Sequence, residues 1–225
     1  MSRRIPQFAA VAFAVLFVVA LLMVPPLPGI AHSGDDIAAH LVEHATALRI
    51  QALLIALGSL ALVIVLGHAR TRLDGAAGYV FTIGSAVVIA EIAIETWLTS
   101  GLALHATHAN PTTARTLVDI ASMWGPVLTV GDVMVAGPVV LAAFRGRFPR
   151  WLGALGAIFV FEQLAETATI VGGPGFIEPG GTMNLYVGGP LFVLFFVALG
   201  LVCGERSNHS TTSKNESPSS GVPST

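Results

Sequence analysis

The chain has 225 residues, of which 54% are hydrophobic and only 11% charged, and its formal net charge at pH 7 is −2. This composition, with a mean hydropathy of +0.78, is that of a membrane protein and excludes an ordinary soluble domain. The near-neutral charge gives no reason to expect nucleic acid as a partner. The single cysteine, Cys203, excludes a disulfide framework.

Six apolar stretches are long enough to cross a membrane, since a hydrocarbon core of ~30 Å needs ~20 helical residues. Clusters of glycine, proline and charged residues separate them and indicate the connections. We therefore predict an all-α fold, a polytopic transmembrane helical bundle over residues 1–204, with a disordered cytoplasmic tail over residues 205–225. The six spans are predicted near residues 8–26, 46–67, 77–101, 117–143, 151–172 and 183–203.

Most arginines fall on one side of this six-span arrangement, and short cytoplasmic loops carry the excess of basic residues in membrane proteins. We therefore predict a multi-pass protein of the cell membrane with both termini in the cytoplasm. The first segment can also be read as a cleaved signal peptide, because Arg3 and Arg4 precede its apolar stretch and small residues follow it. The other five spans keep their orientation under either interpretation.

Five carboxylates lie inside the predicted spans, and four of them form the pattern Glu-x-x-x-Glu-Thr twice, at Glu91 and Glu95 and at Glu162 and Glu166. The fifth is Asp132. A carboxylate at bilayer depth costs several kcal/mol unless it is neutralised, paired or facing a polar cavity, so all five are candidate catalytic residues. Because helical residues four apart lie on one face, each glutamate pair is expected to point the same way.

Two like charges on one helical turn do not both stay ionised in a low-dielectric site, so one carboxyl of each pair is expected to hold a proton and to serve as a general acid. A structural alternative is that the glutamates hydrogen-bond nearby threonines, Gln163 or the backbone and only hold helices together. Five acids in three helices fit that alternative poorly.

The third and fifth spans resemble each other beyond their acids. Each follows an Arg-x-Arg turn, and each has a glycine five residues after the threonine, at Gly101 and Gly172. This pattern indicates two repeated helical hairpins. The spacing from turn to glutamates differs by four residues between the two, so duplication stays open.

Three aromatic residues near the acids, Trp97, Trp124 and Phe161, are candidate substrate-binding residues because aromatic faces stabilise a cation in a dry site. Tryptophan also belongs to interfacial belts, so a lipid-anchoring role stays open. Arg49 lies near one end of the second span and is the one obvious cation to pair with the acids. It is therefore the fourth candidate for the substrate-binding site.

No metal or cofactor is predicted. Asp36, His40 and His44 would share one helical face, and His105 and His108 could join them, but the spacing lacks a zinc-protease pattern. The chain also has no aspartate-rich motif for magnesium diphosphate, no glycine-rich phosphate loop and no Gly-x-Ser-x-Gly turn. Diphosphate ionisation, nucleotide hydrolysis and serine catalysis are thus unsupported.

Residues 43–73, from Glu43-His44 to Arg70-Thr-Arg72-Leu73, and residues 148–156, Phe-Pro-Arg-Trp-Leu-Gly-Ala-Leu-Gly, resemble small polytopic membrane proteins of actinobacteria whose function is unknown. That resemblance implies a fold and no activity. More distantly, the size, the helical bundle and the intramembrane acids resemble small integral-membrane terpene cyclases, which begin by protonating an alkene or epoxide. No residue motif carries this second resemblance, which is one of architecture.

The leading hypothesis is an integral membrane enzyme, a protonation-initiated terpene cyclase of isoprenoid biosynthesis, whose substrate is an apolar lipid. One of the four glutamates would donate the proton, and Asp132 would orient it or accept a proton at the end. A proton- or cation-coupled carrier and a non-catalytic membrane subunit are the alternatives. The substrate, the product and the oligomeric state stay open.

Overall fold

The computed structural model describes residues 4–204, apart from the side chains of Trp124 and Leu128. Within this range all regular secondary structure is helical, and there is no strand. Six helical stretches are long and apolar enough to cross a membrane, which confirms the predicted all-α polytopic bundle. The predicted tail over residues 205–225 lies outside the described residues.

Seven α-helices make up the bundle, and three short helical turns connect them. The short turns are 3-10 helices at Ala106–His108 and Thr167–Val171 and a π-helical turn at Asn184–Gly188. The α-helices are α1 (Ile5–Met23), α2 (Gly34–Arg70), α3 (Gly75–Leu104), α4 (Pro111–Ser122), α5 (Trp124–Phe144), α6 (Arg150–Glu166) and α7 (Gly189–Gly204).

The helix α2 begins at a complete capping box. The Asp36 backbone N–H donates to the Ser33 hydroxyl at 3.2 Å, and the Ser33 backbone N–H donates to the Asp36 carboxylate at 2.9 Å. Each side chain thereby satisfies a backbone donor that the helix itself leaves unpaired. This start lies twelve residues before the predicted second span, so α2 extends well beyond the apolar stretch.

The predicted fourth span is two helices, because the chain breaks at Met123 between α4 and α5. Pro126 has no N–H to donate to the carbonyl four residues earlier, and Gly125 before it is a weak helix former. At the other end of α4, the Asn110 side chain accepts the N–H groups of Thr112 and Thr113. The short helix α4 is therefore capped as a separate element.

The core is built around α5, which packs against α3 and α6, while α1 packs against α2 and α7. Phenylalanines fill the space between α1, α6 and α7. The Phe159 and Phe195 rings stack with centroids 5.1 Å apart, and Phe192 meets Phe196 edge-on at 4.7 Å. The α2–α3 and α5–α6 hairpins differ in helix length, and their origin by duplication stays a prediction.

The six spans alternate in direction, with α4 and α5 in one span, so the connections gather at two ends of the bundle. At what we call the arginine end, Arg72 donates to the Cys203 carbonyl at 3.1 Å and Arg147 pairs with Asp74. Near this end, Gln7 of α1 donates to the Leu201 carbonyl of α7 at 3.4 Å. The first and last described residues therefore lie on the same side of the bundle.

The opposite end, which we call the proline end, carries the connection 24–33, helix α4 and the connection 172–183. Arg115 of α4 ties two of these together, since its guanidinium donates to the carbonyls of Gly29 at 3.1 Å and His32 at 3.4 Å. The same guanidinium pairs with Asp119 one turn further along α4.

Candidate functional site

Four of the five predicted catalytic carboxyls come together in the core, and we call them the acidic cluster: Glu91, Asp132, Glu162 and Glu166. Asp132 on α5 is 1% exposed, and it interacts electrostatically with Glu91 on α3 and with both glutamates of α6. Glu162 and Glu166 are also buried. Because α5 packs between α3 and α6, the fold brings together acids that lie far apart in the sequence.

Two amide side chains connect the carboxyls of α6. The Gln163 amide nitrogen donates to Glu162 at 2.9 Å and to Glu166 at 3.0 Å. Asn184, at the start of the π-helical turn, donates to the other oxygen of Glu166. These neutral amides stabilise two carboxyls on one helical turn without adding a positive charge.

The cluster has more acceptors than donors. Among the described residues, several buried side-chain oxygens here have no hydrogen-bond partner, although buried polar atoms are normally paired. Each of them is an acceptor that a proton-bearing carboxyl or a bound cation would satisfy. The unpaired atoms are Oε2 of Glu91, both carboxylate oxygens of Asp132, Oε1 of Glu162, Oε1 of Gln163 and Oδ1 of Asn184.

Two glycines allow the backbone to close over the acids. A Cβ atom at Gly188 would lie 2.6 Å from Oε2 of Glu166, and one at Gly125 would lie 2.8 Å from Oε1 of the same carboxylate. Gly188 ends the π-helical turn and Gly125 lies in the first turn of α5. Such π turns occur most often at functional sites.

Glu95 lies apart from this cluster. It belongs to the wall of a cavity of about 1210 Å³, which the connections of the proline end and helices α1, α2, α3 and α7 enclose. We expected the two glutamates of each pair to share one environment. The pair on α6 does so, whereas the pair on α3 does not. On α3, Glu91 joins the acidic cluster, while Glu95 lines the cavity.

The cavity wall is mainly apolar. Phe17 and several leucines and valines of α1 and α7 provide most of it, and Pro25, Pro26 and Pro28 extend it into the connection 24–33. A small number of polar side chains interrupt this apolar surface. These are Gln51, Glu95, Thr99, Ser122, Glu178, Thr182 and Tyr186.

The predicted substrate-binding residues lie elsewhere. Trp97 is 73% and Phe161 75% exposed, on the outer surface of the bundle, and neither lines the cavity. Arg49 is exposed and forms no ion pair within the part of the chain that the structure describes. The side chain of Trp124 lies outside the described residues.

The aromatic residues of the cavity are Phe17 and Tyr186, which the sequence does not distinguish from other apolar positions of their spans. Gln163 and Asn184 do carry a signal. An amide inside a membrane span is as unusual as an acid, for the same reason of desolvation. Applied to every polar residue, that reasoning would have identified both.

The histidines at the proline end do not form a metal centre. The rings of His40 and His44 lie 4.6 Å apart, while His105 and His108 are exposed. Within residues 4–204, no group of three or more histidine, cysteine, aspartate or glutamate side chains has the geometry to hold a metal ion. This statement includes the acidic cluster.

No family model matches this chain, and no curated protein and no solved structure is significantly similar to it. The fold and the site themselves define a multi-pass helical bundle with the composition of a membrane protein, an acidic cluster in its core and a largely apolar cavity at one end. The two resemblances stated from the sequence stay predictions.

Proposed function

We propose that this protein is an integral membrane enzyme that uses a carboxylic acid for acid–base chemistry on an apolar, isoprenoid-type lipid. The observation that carries the proposal is Glu95 in the wall of an apolar cavity of about 1210 Å³. Small-molecule pockets typically have volumes of ~300–1,000 Å³, so this cavity has room for a lipid chain. It places one carboxyl where such a chain would lie.

The most concrete reaction is a protonation-initiated cyclisation. The Glu95 O–H bond breaks as its proton forms a C–H bond with one alkene carbon of the substrate, which leaves a carbocation and a carboxylate. A second alkene of the same chain attacks the cation and closes a ring. Loss of a proton to the carboxylate then forms the product alkene and restores the acid, so the reaction is an isomerisation that needs no cofactor.

The walls of the cavity fit this chemistry. Apolar side chains exclude water, which would otherwise capture a carbocation. Phe17 and Tyr186 provide aromatic rings of the kind that stabilise a cation. In this proposal they take the role that the sequence suggested for Trp97 and Phe161, which lie outside the cavity wall.

A matched pair of variants tests the enzyme. Lipids would be extracted from a host that is supplied with farnesyl- and geranylgeranyl-derived precursors and that expresses wild type, Glu95→Gln or Glu43→Gln. Glu43 is an exposed carboxyl outside the cavity wall, so it controls for the substitution itself. We expect a new cyclised lipid with wild type and Glu43→Gln and none with Glu95→Gln. Identical lipids from all three inserted proteins would contradict the proposal.

A second function, that of a proton-coupled carrier, is favoured by a different observation. The unpaired oxygens of the acidic cluster, foremost the two of Asp132, form a buried site that can take up and release protons. Proteoliposomes with an imposed pH gradient test this function. Proton flux that Asp132→Asn abolishes would support the carrier, and tight vesicles with wild-type protein and no flux would exclude it.

A further inference from the structure

Three polar side chains of the cavity wall already donate hydrogen bonds within the protein. The Gln51 amide nitrogen donates to the Ala20 carbonyl at 2.9 Å, and the Ser122 hydroxyl donates to the Val118 carbonyl at 2.9 Å. The Thr99 hydroxyl donates to the carbonyl of Glu95 at 3.1 Å. Thr99 and Ser122 therefore leave only oxygen acceptors for a ligand, whereas Gln51 leaves its oxygen and one N–H.

The charged residues of the cavity wall also favour a ligand that donates hydrogen bonds. The wall contains the two carboxyls Glu95 and Glu178, and none of its described lining residues is a lysine, arginine or histidine. Glu178 accepts the Gly175 N–H at 3.4 Å and lies against the connection 24–33, where a Cβ at Gly29 would be 2.5 Å from its Oε1. Its carboxyl thus lies where two connections of the proline end meet.

Neither Arg49 nor Arg115 is part of the cavity wall. Arg115 pairs with Asp119 and donates to the carbonyls of Gly29 and His32, and its side chain is not part of the cavity wall. Tyr186 and Thr182 add neutral hydroxyls, which can donate or accept. An anionic head group would therefore meet two carboxyls, a few neutral donors and no cation, and would lose its hydration without a compensating positive charge.

We propose that the cavity binds a single-chain lipid whose head group donates hydrogen bonds, an alcohol or an amine, and that it rejects the same chain with a carboxylate or phosphate head. The acceptor oxygens of Gln51, Thr99 and Ser122 and the two carboxyls bind the donor, and the apolar wall packs against the chain. The isoprenoid nature of the chain rests on the proposed function, whereas the choice of head group rests on the cavity alone.

Competition binding with one chain and four head groups tests this inference. Full-length protein in nanodiscs would bind tritiated geranylgeraniol, and unlabelled geranylgeraniol, geranylgeranylamine, geranylgeranoic acid and geranylgeranyl phosphate would compete. We expect the alcohol and amine to compete at concentrations at least about tenfold lower than the acid and phosphate, because an anion leaves the wall's acceptors unpaired. Equal or tighter competition by either anion would overturn the proposal, as would the absence of saturable binding to folded protein.

A variant separates charge from shape. Glu178→Gln keeps the size of the side chain and removes its charge, so we expect the amine to lose about tenfold in affinity while the alcohol changes by less than about threefold. Glu43→Gln, an exposed carboxyl outside the wall, should leave both affinities unchanged. Equal losses for amine and alcohol in Glu178→Gln would mean that its charge does not select the head group, and would count against the proposal.

The head-group inference and the proposed enzymatic activity can fail independently of each other. If alcohol and amine are preferred but no cyclised lipid forms, the enzymatic proposal fails and the head-group inference stands. If a cyclised lipid forms and depends on Glu95 while anionic chains bind equally well, the enzyme stands and the head-group inference fails.

Discussion

The two Glu-x-x-x-Glu-Thr motifs have the same spacing and different surroundings. On α6, Glu162 is 7% and Glu166 4% exposed, and Gln163 donates to both. On α3, Glu91 belongs to the acidic cluster and Glu95 to the cavity wall. Spacing along a helix fixes the face on which a side chain lies, but the elements packed against that face decide its environment.

The break between α4 and α5 explains the difference. Around Glu91, helix α5 fills the space beside α3 and contributes Asp132. One turn further along α3, the neighbouring wall includes Ser122 at the end of α4, and the cavity begins. The fold therefore places the half-buried Glu91 beside the buried acids of α5 and α6 and Glu95 at a space that a ligand can enter.

The largest expected effect comes from replacing the second glutamate of each motif by glutamine and comparing the two variants. Glu95→Gln should lower lipid product by about 10²–10⁴-fold, because it removes the proposed proton donor. Glu166→Gln, the equivalent position on α6, should retain most of the product because its carboxyl lies in the core. Quantitative mass spectrometry of extracted lipids, normalised to inserted protein, measures both. Equal losses in the two variants would show that the motifs act alike.

Next in size is the loss of the amide that connects the α6 pair. Gln163→Leu removes the donor of two hydrogen bonds to carboxyls, so it should destabilise the protein by about 1.5–3 kcal/mol. Gln51→Leu, which removes one bond at the cavity wall, should cost only about 0.5–1.5 kcal/mol. Reversible unfolding in mixed micelles gives both values, and the reverse order would refute the central role of Gln163.

A smaller loss is expected where the backbone closes over the acids. Gly188→Ala places a Cβ 2.6 Å from Oε2 of Glu166 and should cost about 1–3 kcal/mol through displacement of that carboxyl. Gly101→Ala is the control, since nothing lies within 4 Å of its added Cβ. In a helix that change should stabilise by up to about 1 kcal/mol. Unfolding of both variants under the same conditions checks the contrast.

The smallest change is predicted at the most buried acid. Asp132→Asn keeps the shape of the side chain and introduces an N–H₂ donor among unpaired acceptor oxygens. Stability should therefore change by less than about 1 kcal/mol or rise, whereas an ionised Asp132 bound to a partner would make the same substitution costly. A loss above about 3 kcal/mol in the unfolding measurement would contradict a cluster satisfied by protons.

Most of the fold follows from local sequence, because length, hydropathy and the punctuation by glycine and proline decide where membrane helices begin and end. The six spans are confirmed for this reason. The sequence places Gly125 and Pro126 in the fourth span and favours a kink there, and the structure has a full break two residues before Gly125, at Met123.

The site was predictable only in part. The free-energy cost of burying a carboxylate is enough to identify the five acids as candidates. The structure brings four of them together. The separation of Glu95 from Glu91 could not be predicted, since it depends on which helices pack beside α3. Trp97 and Phe161, whose side chains are exposed, show the same limit. Their closeness to the acids in the sequence does not say which side of the helix faces the lipid.

The capped start of α2 has a practical consequence for imaging. The helix has 37 residues, which at ~1.5 Å per residue is roughly 55 Å, well beyond a hydrocarbon core of ~30 Å. Its first turns carry Asp35, Asp36, Glu43 and two histidines, so residues 34–44 form a polar extension of the apolar stretch. Ile37 and Leu41 of this stretch pack against Ala114 and Val118 of α4, so the extension is held in place and gives the particle an alignment landmark for electron microscopy.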